Sequence, residues 1–151
     1  MRSAAKTSCD TTANDEDLED QKNSGRLYHA GGKAVYVETT MDVILDLDDM
    51  EEKLRNTPDC KHVLVSHMRG KLADMASVKR ICDRYGAILL EDCAHSLGVR
   101  YADIHSGHMG VACAISSQSY KMINSGEGGF LLTDNEGISQ QEQETWKRLG
   151  S

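Results

Sequence analysis

From residue 34 onward, short apolar runs alternate with stretches whose apolar residues recur every three or four positions. Ala34-Val35-Tyr36-Val37-Glu38 predicts a strand. Leu47, Met50 and Leu54 fall on one helical face and predict a short helix over 46–55, closed by the turn residues Asn56-Thr57-Pro58-Asp59. His62-Val63-Leu64-Val65-Ser66 predicts a second strand, ending in the loop Arg69-Gly70-Lys71. The strongest helical signal comes next. Asp74 offers an N-cap oxygen, Met75, Val78, Ile81, Cys82 and Tyr85 line one face, and Gly86 stops the helix. Ala87-Ile88-Leu89-Leu90 and Val111-Ala112-Cys113-Ala114-Ile115 both read as strands, the first a continuous apolar run of the kind buried on both faces. Gly129 to Thr133 predicts a last strand, and residues 138–149 a polar terminal helix.

This alternation predicts an α/β fold, a mainly parallel sheet with flanking helices. Residues 1–24 have no apolar period and carry the acidic stretch Asn14-Asp15-Glu16-Asp17-Leu18-Glu19-Asp20, so an acidic, disordered arm is expected there. Residues 25–151 are left as the folded part. The acidity of the arm also argues against a mitochondrial transit peptide.

Composition narrows the partners. A net charge of −7 argues against nucleic acid, whose binders concentrate Lys and Arg. No apolar run approaches the roughly 20 residues of a spanning helix, and the N-terminus lacks the apolar core of a signal peptide, so a cytoplasmic protein away from membranes is expected. Five cysteines (Cys9, Cys60, Cys82, Cys93, Cys113), without a CxxC pair, suggest reduced thiols rather than a disulfide framework. Cys93 lies beside Asp92 but has no evident base to activate it, and reads as a small packing residue. His105 and His108, with Cys60, His62 and His67 upstream, match no zinc spacing, so no metal site is expected. A single proline and a single phenylalanine are few for a complete enzyme domain.

Ligands of open parallel sheets bind beyond the carboxyl ends of the strands. Asp92 and His95 follow the strand 87–90, and Ser116 follows the strand 111–115, so these residues converge on one edge. Lys121 comes 29 residues after Asp92 and five after Ser116. An amine, a carboxylate and a hydroxyl on one edge are the groups a pyridoxal-phosphate site needs. Taken singly, Asp92 reads equally well as a helix cap, His95 reads better as a satisfied core histidine, and a lone lysine at position 121 means little.

Several segments in order extend the pattern: His67 with Gly70 and Ala73-Asp74-Met75, then Glu91-Asp92-Cys93-Ala94-His95-Ser96-Leu97-Gly98, Gly107-His108-Met109-Gly110, the Ser116–Lys121 spacing and Gly126-Glu127-Gly128-Gly129. Over roughly 100 residues this order resembles the central part of the large domain of the DegT/StrS-type sugar aminotransferases, pyridoxal-phosphate enzymes of fold type I. The resemblance implies that Lys121 joins the cofactor's aldehyde and shuttles the proton, and that Asp92 pairs with the ring nitrogen. It further implies that His95 lies near the ring and that Ser116 binds the phosphate. Relatives that dehydrate sugars carry histidine where Lys121 stands, so amino transfer is implied, from an amino acid such as glutamate to a nucleotide-linked keto-sugar. The full-length enzymes of the family are expected to be homodimers. Ser117 stands where the family usually has an aromatic residue, and Val111 where it usually has aspartate. Residues 1–24 offer neither the phosphate-cradling helix nor the ring-stacking aromatic of the family. The alternative expectation is therefore a non-catalytic remnant of such an enzyme, acting as a binding module or inactive.

Overall fold

The computed structural model describes Lys6–Asp10 and residues 31–149. Its elements are β1 (Lys6–Asp10), β2 (Gly32–Tyr36), α1 (Leu47–Asn56), β3 (Cys60–Ser66), α2 (Met75–Tyr85), β4 (Ile88–Asp92), β5 (Arg100–Tyr101), β6 (Ile104–His105), β7 (Ala112–Ser116), β8 (Gly129–Leu132) and α3 (Glu136–Leu149). Six strands form one sheet in the order β2-β1-β3-β4-β7-β8. All its neighbours pair in parallel except β7 and β8, which run antiparallel. The fold is the α/β arrangement that the alternation predicts.

Local chemistry sets the helix ends. Asp46 caps α1, accepting from the amides of Asp48 and Asp49 at 3.0 and 3.2 Å. Asp74 caps α2 by accepting from the Ser77 amide, and Gly86 ends it in the left-handed region at φ 65°. Met50 and Leu54 of α1 and Met75, Val78, Ile81 and Cys82 of α2 are buried against Val63, Val65 and Leu89 of the sheet. Each such side chain contributes about 1.5–3 kcal/mol by leaving water. At the rim of the two helices, Glu51 accepts from Arg84 and from the Tyr85 hydroxyl, which ties α1 to α2.

Four expectations change. Lys6–Asp10, inside the segment read as a structureless arm, pairs with β2 on one side and β3 on the other. Its polar run Lys-Thr-Ser-Cys-Asp has no apolar alternation to announce a strand, and the pairing is imposed by its neighbours. The rest of the arm lies outside the described residues. β4 is not buried on both faces: Leu89 and Glu91 are buried, but Ile88 is 45% exposed. α1 and α2 pack on the same side of the sheet, and continuity of an apolar run does not reveal that. The short hairpin β5–β6 carries no strong sequence signal and was not expected. Finally, Cys60 is disulfide-bonded, whereas Cys82, Cys93 and Cys113 are free thiols. Spacing along a chain does not by itself reveal a disulfide.

Candidate active site

Alternation along a strand sends neighbouring residues to opposite faces. At the end of β4 this separates two carboxylates. Glu91 and Cys93 point to the helix-covered face, and Asp92 to the other. Register places Ser66 of β3 directly opposite Asp92, and Ala114 of β7 on its other side. Ser116 lies two residues beyond Ala114, so Ser66, Asp92 and Ser116 share one face at the carboxyl ends of three adjacent parallel strands.

Asp92 is half-buried. Its Oδ1 accepts from the Ala94 amide at 3.0 Å and its Oδ2 from the Ser66 hydroxyl at 3.2 Å. A carboxylate has about four lone-pair directions, so these bonds leave room for a further donor. Ser116, also half-buried, accepts from the Gln118 amide at 3.4 Å, and its own hydroxyl hydrogen remains able to donate. His95 sits in the turn after β4 with its side chain exposed.

Lys121 lies in the loop 117–128 that joins β7 to β8, with its side chain half-buried and its amide donating to Gln118 O at 2.9 Å. The neck of the loop is closed by backbone bonds from Ser117 N to Gly128 O (3.0 Å) and from Ser125 N to Ser117 O (2.9 Å). The hydroxyls of Ser117 and Ser125 meet at 2.8 Å. Gly128 at φ 139° lies beside the Ser117 hydroxyl, where a Cβ would approach it to 3.1 Å. Ser117, buried and polar, thus pins the lysine's loop.

The helix-covered face holds a group that sequence reasoning assigned no role. Glu91, 2% exposed, accepts from His67 Nε2 and Gly107 N through Oε2, both at 2.9 Å. Through Oε1 it accepts from Met109 N at 2.8 Å and Gly110 N at 2.6 Å. Burial pushes this carboxyl's pKa up, but His67 and the three amides outweigh it and hold the group below its ordinary value. The His67 bond requires its hydrogen on Nε2. The available signal was the alternation Leu89-Glu91-Cys93, which puts a carboxylate on the buried face.

Beside it, Cys93 and Cys113 are buried together with Ile115. The Cys113 thiol donates to Cys93 and holds Cys93 below the ordinary thiol range, while the same contact and burial push Cys113 up. Cys93 is fully enclosed. His67, Glu91 and Cys93 each present a potential metal ligand within 4.8 Å of the others. The oxygens of Glu91 are already engaged by four N–H donors, which accounts for the cluster without an ion. Among the described residues no helix is long and apolar enough to cross a membrane.

Residues 24–148 match the DegT/DnrJ/EryC1/StrS aminotransferase family. The chain belongs to this family. Solved structures agree with the fold. The chain is similar to Helicobacter pylori PseC, an aminotransferase involved in the biosynthesis of pseudoaminic acid, at 22% identity and a TM-score of 0.82, over 95% of this chain and 37% of that one. It is similar to 3-amino-5-hydroxybenzoic acid synthase at 25% identity and a TM-score of 0.75, over 91% of this chain and 35% of that one. It also resembles the E. coli GDP-4-keto-6-deoxy-D-mannose-3-dehydratase solved with bound hydrated pyridoxal phosphate, at 21% identity and a TM-score of 0.77, over 91% and 34%. The chain thus spans about a third of the length of these structures.

Proposed function

We propose that this chain carries part of the site of a pyridoxal-phosphate-dependent aminotransferase that moves an amino group from an amino acid such as glutamate to a nucleotide-linked keto-sugar. The observation that supports it most is the shared face of Asp92 and Ser116 at the carboxyl ends of neighbouring parallel strands, with Lys121 in the pinned loop that leaves Ser116. The residues fit the group chemically. Asp92 retains free lone pairs for a ring N–H, and Ser116 retains a hydroxyl hydrogen for a phosphate oxygen beside the Gln118 amide. When bound, pyridoxal phosphate supplies an electron sink for the carbanion left by removal of a proton next to the amino group.

The chain's own residues would do the rest. Lys121 Nζ would be the amine that holds the cofactor covalently and the base that accepts and returns the donor's proton. Asp92 would keep the ring nitrogen protonated, and Ser116 would hold the phosphate. His95, three residues after Asp92, would lie near the ring. Lysine at position 121 favours amino transfer over dehydration, and a nucleotide-linked sugar is favoured by a structural neighbour, DesI, solved in the presence of its TDP-sugar product. The full-length enzyme is proposed to be a homodimer.

A second reading, a non-catalytic remnant that serves as a binding module, draws on the openness of the same face: His95 is exposed and Asp92 only half covered. Titration with pyridoxal phosphate separates the two. An absorbance band of covalently held cofactor in the wild type, absent in Lys121→Ala, supports the enzyme; no band in either supports the remnant.

A further inference from the structure

Asp92 is held by two donors that belong to different elements. The Ala94 amide fixes Oδ1 relative to the turn that follows β4. The Ser66 hydroxyl fixes Oδ2 relative to the neighbouring strand β3. Only the second bond spans the sheet, and it arises because register sets Ser66 directly opposite Asp92. Packing does not call for a hydroxyl at this place. Val63, Leu64 and Val65, the residues before it, are apolar, and a small apolar side chain at the end of β3 would fill the same space. With Ala94 as the remaining constraint, the carboxylate could turn about its Cβ–Cγ bond and redirect the lone pairs that are still free.

We infer that Ser66 is a positioning residue that fixes the orientation of the Asp92 carboxylate toward a bound heterocyclic N–H. The inference rests on the reading of Asp92 as the partner of the cofactor's ring nitrogen. Ser66 itself touches no reacting atom; it acts through Asp92. Its counterpart on the other neighbouring strand, Ala114, has no polar group, so the restraint comes from β3 alone on that face.

The test uses the full chain as Ser66→Ala, Ser66→Thr, Asp92→Asn and the double variant Ser66→Ala/Asp92→Asn. Crystal structures of the wild type and Ser66→Ala report the Asp92 rotamer without any cofactor. Absorbance titration reports the apparent Kd for pyridoxal phosphate, and thermal unfolding reports stability. Ser66→Ala is expected to show Asp92 in a changed or multiple rotamer and to weaken cofactor binding about three- to tenfold, the range set by loss of one ordinary hydrogen bond. Ser66→Thr should restore both. In the Asp92→Asn background, Ser66→Ala should add nothing to the loss, because the two residues act as one unit. A merely structural role would instead lower the midpoint of thermal unfolding and give the same loss in both backgrounds, which would overturn the inference. A wild type that binds no pyridoxal phosphate defeats the functional reading; the rotamers then still decide for Ser66. A single Asp92 rotamer, identical with and without the hydroxyl, would refute its positioning role outright.

Discussion

Two adjacent residues of β4 carry carboxylates with different work. Asp92 faces the open side of the sheet with lone pairs to spare, and Glu91 faces the packed side with both oxygens engaged. The second arrangement has a measurable consequence. Removing Glu91 leaves His67 and the amides of Gly107, Met109 and Gly110 without their acceptor in a buried place. Glu91→Ala is expected to cost about 3–5 kcal/mol in urea unfolding; a loss below about 1 kcal/mol, typical of a surface site, would contradict this account. The pH dependence follows from the same bonds. The folded pKa of Glu91 lies below its ordinary value of 4.5, so its stabilisation is complete above that pH and is lost as pH falls through the folded value. Wild-type stability should therefore fall more steeply below pH 4.5 than that of Glu91→Gln, and equal slopes would count against a paired carboxylate.

At the scale of elements, the best-read part of the chain is α2. Asp74, the apolar face from Met75 to Tyr85 and the stop at Gly86 all appear where local chemistry puts them. Local signals were strong there because capping and periodicity agree. The hairpin β5–β6 was silent because it is held by tertiary contacts: the Tyr101 hydroxyl donates to Asp74. Together with the hydroxyl of Ser77, that bond holds the Asp74 carboxyl down to about 2. Tyr101→Phe should raise this value toward the ordinary 3.8, read by NMR titration, and should loosen the hairpin from α2; an unchanged titration would show the contact to be idle. The turn before β7 is equally exacting. Gly107 has φ 89°, and a Cβ there would meet Cys113 Sγ at 2.5 Å and Cys93 Sγ at 3.3 Å. Gly107→Ala is expected to destabilise by about 2–4 kcal/mol, from backbone strain and overpacking together. A thermal midpoint equal to that of the wild type would contradict it. The motif Gly107-His108-Met109-Gly110 was visible in the sequence, but its reason, a turn folded around the Glu91 carboxylate and two thiols, emerges only from the three-dimensional arrangement.

For the molecule as a whole, the candidate site was legible as an edge. Strand alternation placed Asp92 and Ser116 at carboxyl ends, and the sheet then put them on neighbouring strands and one face. The inserted strand β1 and the one-sided cover of the sheet were not legible, because pairing and layer placement depend on distant partners. That one-sidedness leaves Ile88 and Leu131 at 45% and 41% exposure, and Phe130, on the other face of β8, is 50% exposed because β8 ends the sheet. Apolar edges of this kind favour association. The chain is expected to sediment above its monomer mass of 16.6 kDa, and Phe130→Lys/Leu131→Lys to shift it toward that mass. Monomeric sedimentation of the unchanged chain would remove the expectation. Incubation of the full chain with pyridoxal phosphate, reduction with borohydride and peptide mass spectrometry should find the reduced cofactor on Lys121 and lose that label in Asp92→Asn or at least diminish it. A label absent from Lys121, or spread evenly over the exposed lysines, would contradict the account.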